Sequence, residues 1–153
     1  MIQARRILVP VNGNPTDEDI VSLACGLAKR QRAEVYAMYV IEVNRKLPLD
    51  ADLPPEAQKG EETLEKAERQ ASSLGVELKT ELVQARDVGT AIVDEALARR
   101  VDLIILGMPY RKLFGEFDLG KTAPYVLKHA PCSVWIAREP MPAHEAATSG
   151  RAV

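Results

Sequence analysis

The sequence predicts a doubly wound α/β sandwich, in which helices cover both faces of a five-stranded parallel sheet. Apolar segments rich in β-branched residues alternate along the chain with segments of helical periodicity. Two of the apolar segments, ILVPVN at 7–12 and VDLIILGM at 101–108, are hydrophobic almost throughout. Strands of this kind are buried on both faces, which is typical of parallel sheets joined by right-handed helical crossovers. Ligands of such folds bind beyond the carboxyl ends of the central strands.

The first half of the chain contains two predicted strands and two predicted helices. The strand at 7–12 ends at the turn signal NGNP, where Asn14 offers an N-cap and Pro15 suits the first position of a helix. The second strand, AEVYAMYVIEV at 33–43, is again mostly apolar. A proline-rich loop then leads into a polar helix that ends at Gly75.

The third strand and third helix follow directly. VELKTEL at 76–82 alternates between apolar and charged residues, which predicts a half-exposed strand at an edge of the sheet. The next segment, 89–100, has helical periodicity, and we expect Ile92, Ala96 and Leu97 to point inward.

The remaining segments complete the predicted fold and end in a tail. After the strand at 101–108, residues 109–119 are expected to be irregular, 120–130 to form a helix and 132–137 a last strand. We therefore assign residues 1–138 to one domain and residues 139–153, which are small and polar without periodicity, to a flexible C-terminal tail.

Composition limits the possible functions. The chain has 153 residues and a net charge of −2, so no global field attracts nucleic acid or anionic lipid. Its N-terminal apolar run is too short for a signal peptide or a membrane span, and we expect a cytoplasmic protein. Cys25 and Cys132 are far apart and form no metal-binding or redox motif, so both are expected to be free, mostly buried thiols. The sequence indicates no catalytic residue and no metal site.

The segment GEFDLGKT, at 115–122, fits the phosphate-loop pattern G-x-x-x-x-G-K-[ST] at every position. A phosphate-binding loop of that class starts where a strand ends, whereas here seven residues, MPYRKLF, separate the strand from Gly115. The carboxylates of Glu116 and Asp118 would also repel a triphosphate within the loop. A nucleotide hydrolase that uses this motif is therefore the weakest of three functional hypotheses.

The second half of the motif, from Gly120 onward, is compatible with an anion-binding site by itself. A helix that starts near Lys121 tolerates Pro124 in its first turn and leaves the N–H groups of Lys121, Thr122 and Ala123 without helical partners. Such a positive helix end beside an ammonium group can bind an anion. The alternative is that Gly120 only turns the chain and Lys121 is a solvated surface charge.

Four segments together carry a resemblance to a known family. ILVPVNG at the first strand, YVIEV at the second, VDLIILGM at the fourth and VLKHAPCSVWIA at the end resemble the universal stress protein family over nearly the whole chain, from about Arg5 to Arg138. The resemblance implies an adenine nucleotide alpha hydrolase-like, Rossmann-like fold. It also implies a homodimer that pairs through the last strand, from Ser133 to Ala137.

The nucleotide-binding members of that family share the pattern G-x2-G-x9-G-[ST], and this chain keeps its spacing with two of the four identities. Gly107 and Gly120 match, whereas Tyr110 stands at the second glycine and Lys121 at the serine or threonine. Asn12 stands where those members usually carry an aspartate. A bulky ring at Tyr110 could block the approach of backbone to phosphate, and Lys121 adds a charge that serine lacks.

The resemblance implies a binding site for ATP or a related adenine nucleotide, and leaves open whether Mg²⁺ accompanies it. In this site Val40 would contact adenine with its backbone, Asn12 and Gly107 would face the ribose, and the residues from Gly120 to Ala123, with Met108, would line the phosphates. For Val40 and Met108 the alternative is ordinary core packing. The full set of implied site residues is Pro10, Val11, Asn12, Val40, Gly107, Met108, Tyr110, Gly120, Lys121, Thr122 and Ala123.

Two hypotheses thus stand ahead of the hydrolase. The first is a cytoplasmic stress-response module that binds an adenine nucleotide without robust turnover. The second is a dimeric interaction or adaptor module that has lost nucleotide binding and acts on an unknown protein partner. Neither requires nucleic acid or a membrane. The orientation of the Tyr110 ring discriminates between them, because a ring that points away from the phosphates would leave the first hypothesis intact.

Overall fold

The computed structural model describes residues 3–146 and confirms the predicted fold class. Five parallel strands form one sheet in the order β3-β2-β1-β4-β7, with helices on both faces, and a two-stranded hairpin, β5-β6, lies between β4 and α4. The elements are β1 (Arg6–Pro10), α1 (Thr16–Gln31), β2 (Glu34–Glu42), α2 (Pro54–Ser73), β3 (Leu78–Ala85), α3 (Val88–Ala98), β4 (Leu103–Met108), β5 (Lys112–Leu113), β6 (Glu116–Phe117), α4 (Thr122–His129) and β7 (Ser133–Arg138).

The two strands that are apolar throughout lie side by side at the centre of the sheet. Ile7, Leu8 and Val9 of β1 are fully buried, as are Ile104 and Ile105 of β4. Alternate side chains of both strands enter two separate cores, one under α1 and α2 and the other under α3 and α4. Burial on both faces explains why these segments read as continuous hydrophobic runs.

The strand order reverses between β1 and β4. From β1 the chain proceeds through β2 to β3 on one side, whereas β4 leads to β7 on the other. The connections that leave the carboxyl ends of β1 and β4 therefore diverge, and a crevice opens between them, as is usual at the switch point of a doubly wound sheet.

The two edges of the sheet differ in character. The alternating segment predicted as an edge strand is confirmed as β3, whose Lys79 and Thr80 are exposed. The opposite edge is β7, where Val134, Trp135 and Ile136 are half-buried. Within residues 3–146, β7 pairs only with β4, so its outer backbone edge is open.

The expectation that residues 109–119 are irregular is wrong, because this segment contains an antiparallel hairpin. Its two-residue turn is formed by Phe114 and Gly115, with φ of 53° and 80°. Positive φ at both central positions matches the twist of a hairpin and favours asparagine and glycine. Because a phenylalanine occupies the first of these positions, the sequence does not indicate the turn.

The expected inward orientation of Leu97 is also wrong. Ile92 and Ala96 are buried as predicted, but the buried face of α3 continues through Gly89 and Val93, and Leu97 is 56% exposed. A turn of 3.6 residues places Leu97 beside that face and not on it. No helix among residues 3–146 combines the length and the apolar composition needed to cross a membrane.

Two helical glycines predict opposite responses to alanine. On α2, a Cβ at Gly60 would lie 2.6 Å from Cδ1 of Leu82 and 2.8 Å from Cδ1 of Tyr39, whereas on α1 a Cβ at Gly26 would meet no atom within 4 Å. We expect Gly60→Ala to lower the free energy of unfolding by about 1–3 kcal/mol through overpacking. Gly26→Ala should raise it by about 0.5–1 kcal/mol, because alanine loses less backbone entropy.

Urea denaturation of both variants beside the parent protein measures the two changes. Gly26→Ala is the control for the substitution itself. Equal stabilisation by both changes would contradict the close contact between α2 and the strands β2 and β3.

Candidate functional site

A cavity of about 410 Å³ occupies the crevice at the carboxyl ends of β1 and β4. This volume lies within the range of small-molecule binding sites, and its place in the fold is the one where ligands of doubly wound sheets bind. The lining residues are Pro10, Val11, Asn12, Asn14, Met38, Val40, Val88, Ile92, Leu106, Gly107, Met108, Pro109, Arg111, Asp118, Leu119, Gly120, Lys121, Thr122 and Ala123.

The structure brings ten of the eleven site residues proposed from sequence to this one cavity. They come from four places that are distant in the sequence: the end of β1, the middle of β2, the end of β4 and the start of α4. The ten residues are Pro10, Val11, Asn12, Val40, Gly107, Met108, Gly120, Lys121, Thr122 and Ala123. Their role in binding a nucleotide stays a prediction.

Tyr110 is the exception, and its ring lies outside the cavity lining. It stacks on Phe117 of the hairpin, with 5.3 Å between the ring centroids and 12° between the planes. The guanidinium of Arg138 lies 5.1 Å from the centroid of Tyr110 and 5.3 Å from that of Phe117. The side chain that replaces a glycine in the family pattern is thus used to hold the hairpin, and the cavity stays open.

The residues after β7 hold the same hairpin from the other side. The backbone N–H of Glu139 donates to the carbonyl of Met108 at 2.7 Å, and Oε1 of Glu139 accepts from the backbone N–H of Tyr110 at 3.0 Å. Lys112 and Glu145 form an ion pair at 2.8 Å, which lowers the pKa of the Glu145 carboxyl. Of the tail predicted to be flexible over 139–153, the part from 147 onward lies outside the described residues.

The loop between β1 and α1 is fixed by its own side chains. Oδ1 of Asn12 accepts from the backbone N–H of Asn14 at 3.0 Å, and Oδ1 of Asn14 accepts from the backbone N–H of Thr16 at 2.8 Å and from its hydroxyl. The carboxylate of Asp17 accepts from the backbone N–H groups of Asn12 and Gly13 at 3.2 and 2.7 Å. Burial raises the pKa of Asp17, although these two hydrogen bonds oppose the change.

Gly107 lets α1 and β4 approach each other closely beneath this loop. A Cβ at Gly107 would lie 2.5 Å from Oγ1 of Thr16, a distance that no real contact allows. Gly107 therefore has a packing role in addition to its place in the cavity wall.

Two cations stand at the start of α4. Lys121 is 77% exposed and its Nζ lies 3.6 Å from Oε1 of Glu42. Arg111, which sequence reading did not single out, also lines the cavity, and its Nη2 would lie 3.6 Å from a Cβ placed on Gly120. The hairpin places Arg111 beside Gly120, and no local sequence pattern indicates that these two residues are neighbours. With the N-terminus of α4, the two cations form a positive end of the cavity.

Part of the cavity wall is apolar. Besides Val40 and Met108, four apolar residues that were not among the predicted site residues contribute to it. They are Met38, Val88, Ile92 and Leu106. Such a wall suits the face of a planar, weakly polar ring.

The phosphate-loop match does not form a single loop. Gly115 lies at the tip of the hairpin, where a Cβ would meet nothing within 4 Å, whereas Gly120 and Lys121 line the cavity. Over residues 3–146, no three side chains of histidine, cysteine, aspartate or glutamate come close enough together to hold a metal ion.

Neither cysteine has the properties of a nucleophile. Both are free thiols, with Cys25 buried and Cys132 half-buried. Burial raises the pKa of both thiols, which disfavours the reactive thiolate.

Comparison with known proteins places the chain in a family. The model of the Universal stress protein family matches residues 3–138. The universal stress protein MJ0531 of Methanocaldococcus jannaschii is 30% identical over 142 residues, which cover 89% of this chain and 83% of that protein.

Solved structures agree in fold. The universal stress protein of Archaeoglobus fulgidus in complex with dAMP has a TM-score of 0.69 and 18% identity, with 89% of this chain and 98% of that chain covered. A universal stress protein family protein of Arabidopsis thaliana with AMP bound has a TM-score of 0.63 and 15% identity, with 92% and 97% covered. At this level of identity the likeness shows a shared fold.

The stacking of Tyr110 on Phe117 predicts a measurable coupling. Tyr110→Ala and Phe117→Ala each remove the stacked pair, so the double variant should lose less stability than the sum of the single variants. We expect a coupling free energy of about 0.5–1.5 kcal/mol from a double-mutant cycle in urea. The pair Tyr125→Ala and Phe117→Ala is the control, because Tyr125 contacts His129 instead. Additive losses for Tyr110 and Phe117 would contradict the stacked geometry.

Proposed function

Because the chain belongs to the universal stress protein family, we propose that it binds an adenine nucleotide of the ATP class at the loops that follow β1 and β4. It would act as a small cytoplasmic regulatory module without robust turnover. One observation carries this proposal: the ring of Tyr110 is stacked on Phe117, so it does not fill the space between the β4 loop and the start of α4.

The chemistry of the cavity supports an adenine nucleotide. The base would lie on the apolar wall near Val40, and the ribose would lie near Asn12 and Gly107. The phosphates would lie at the start of α4, where Lys121 and Arg111 supply positive charge and the first helical N–H groups supply donors. The dAMP and AMP complexes of the two proteins described above add support for this ligand class.

Slow turnover or none is proposed because the described lining offers little to activate water. It contains no histidine, and its one carboxylate is that of Asp118, whose backbone N–H donates to the carbonyl of Arg111 at 2.9 Å. Whether Mg²⁺ accompanies the phosphates is a question for the binding experiment below.

The second candidate is a dimeric adaptor that binds no nucleotide. Two observations favour it: Lys121 already has an ionic partner in Glu42, and the open edge of β7 exposes part of Trp135. This candidate and the first differ in their response to ATP and share the expected dimer.

The proposed nucleotide site predicts a response to ATP. ATP at about one hundred times its dissociation constant should raise the free energy of unfolding by roughly 2.7 kcal/mol, which thermal unfolding detects as an upward shift. Lys121→Ala should reduce this shift, and it should reduce the shift with AMP less, since a charge-assisted hydrogen bond to the outer phosphates contributes about 1.5–3 kcal/mol. Lys128→Ala is the matched control, because it removes the same charge from the far end of α4, outside the cavity.

Each outcome of this experiment has a meaning. Runs with Mg²⁺ and with EDTA show whether the ion takes part in binding. Equal ATP shifts for the parent, Lys121→Ala and Lys128→Ala would contradict the phosphate assignment. No shift with any adenine nucleotide would favour the adaptor.

The open edge of β7 predicts that the protein forms a homodimer. We propose that β7 pairs with β7 of a second copy from Ser133 to Ala137, because an open apolar strand edge is otherwise a site of uncontrolled association. Light scattering at micromolar concentration should give twice the chain mass of 16.8 kDa. A monomer over that concentration range would contradict the proposal.

A further inference from the structure

We propose that the loop between β1 and α1 selects an adenine nucleotide whose ribose carries a phosphate on its 2′ or 3′ oxygen. This inference rests on the proposed function, because it requires the ribose of a nucleotide to lie near Asn12. It names a narrower ligand class than the adenine nucleotides as a whole.

The orientation of two side-chain amides is the first observation. Asn12 and Asn14 both line the cavity, and the side-chain oxygen of each accepts hydrogen bonds from backbone N–H groups of the loop itself. A backbone N–H can only donate, so the amide orientations are determined by their partners. Both side-chain oxygens are therefore engaged in hydrogen bonds with the backbone of the loop.

The amide nitrogens are the groups that remain for a ligand. Throughout the described chain, no protein group accepts a hydrogen bond from Nδ2 of Asn12 or of Asn14. The nearby carboxylate of Asp17 is held by the N–H groups of Asn12 and Gly13. The loop side chains thus offer donors, and a donor binds the charged oxygen of a phosphate more strongly than the neutral oxygen of a ribose hydroxyl.

A second cavity continues the first on the outer side of the loop. It has a volume of about 390 Å³, shares Asn14 with the first cavity and lies between α1 and α2. Two lysines line it, Lys59 and Lys66, together with the hydroxyl-bearing Thr63. Cε of Lys59 would lie 3.4 Å from a Cβ placed on Gly13, so this lysine packs directly over the loop.

Acidic groups in the second cavity define where the phosphate would lie. Three carboxylates also line it, those of Asp17, Glu18 and Glu62, and the carboxylate of Asp17 accepts from the loop backbone. The phosphate is therefore placed at the boundary between the two cavities, next to Asn12, Asn14 and Lys59, and not deep between α1 and α2.

Adenosine bisphosphates provide the direct test. Isothermal titration calorimetry would compare ADP with adenosine 3′,5′-bisphosphate and adenosine 2′,5′-bisphosphate, which contain the same atoms but carry the second phosphate on the ribose. At least one bisphosphate should bind about tenfold more tightly than ADP, since a hydrogen bond to a charged group is worth roughly that factor. Comparing the two bisphosphates identifies the oxygen that carries the phosphate.

The substitution Asn12→Asp isolates the donor. It keeps an oxygen for the N–H of Asn14 and replaces the amide nitrogen with a second, charged oxygen. The ratio of the affinity for the preferred bisphosphate to the affinity for ADP should fall by roughly tenfold or more. Asn14→Asp should act in the same direction and is the second variant if the first does not fold. Asn44→Asp is the matched control, because Asn44 accepts from the N–H of Lys46 in a similar turn outside both cavities.

The possible results separate this inference from the proposed function. If ADP binds as tightly as both bisphosphates, or if Asn12→Asp weakens all three equally, the inference is overturned while nucleotide binding stands. If neither ATP nor any of the three ligands binds the parent protein, the proposed function fails and the inference fails with it.

Discussion

The complete burial of two adjacent parallel strands is the constraint on which the rest of this structure depends. β1 and β4 each present apolar side chains to both faces of the sheet, so each face needs its own helical layer. Right-handed crossovers then send the chain to opposite sides from these two strands. The crevice at their carboxyl ends follows from this divergence, and residues from β1, β2, β4, α3 and α4 meet there in one cavity. Burial in the centre therefore creates the site as well as the fold.

The hairpin after β4 shows how a bulky residue is accommodated beside that cavity. Tyr110 packs against Phe117 and beneath the guanidinium of Arg138, and Glu139 accepts from its backbone N–H. Phe117 precedes α4 in the chain, whereas Arg138 and Glu139 stand at the end of β7 and directly after it. As a result, the loss of a glycine from the family pattern changes what supports the loop and does not close the cavity. The same hairpin returns Arg111 to the start of α4, where it joins Lys121.

The cavity combines polar and charged groups with an apolar wall. Arg111 and Lys121 stand at the N-terminus of α4. Asn12 and Asn14 line the cavity on the loop after β1, where their side-chain oxygens accept from the loop backbone. A cationic helix start, amide donors and an apolar wall suit a nucleotide whose negative charges are carried by the ribose and whose base is a flat ring. The same loop-stabilising hydrogen bonds that make the site rigid therefore determine its preference for acceptor groups.

Much of this could be predicted from the sequence, because the strongest signals come from local periodicity and composition. The apolar runs at β1 and β4 and the alternation of β3 predicted the fold class, whereas the ten predicted residues that line the cavity came from the resemblance to a known family. The hairpin, the exposure of Leu97, the place of Arg111 and the orientation of the Tyr110 ring were decided by the tertiary structure. Each depends on a partner that is distant in the chain or on a turn residue, Phe114, that local preferences do not indicate. Sequence periodicity reports which face of an element is buried, whereas only packing decides which side chains of different elements meet.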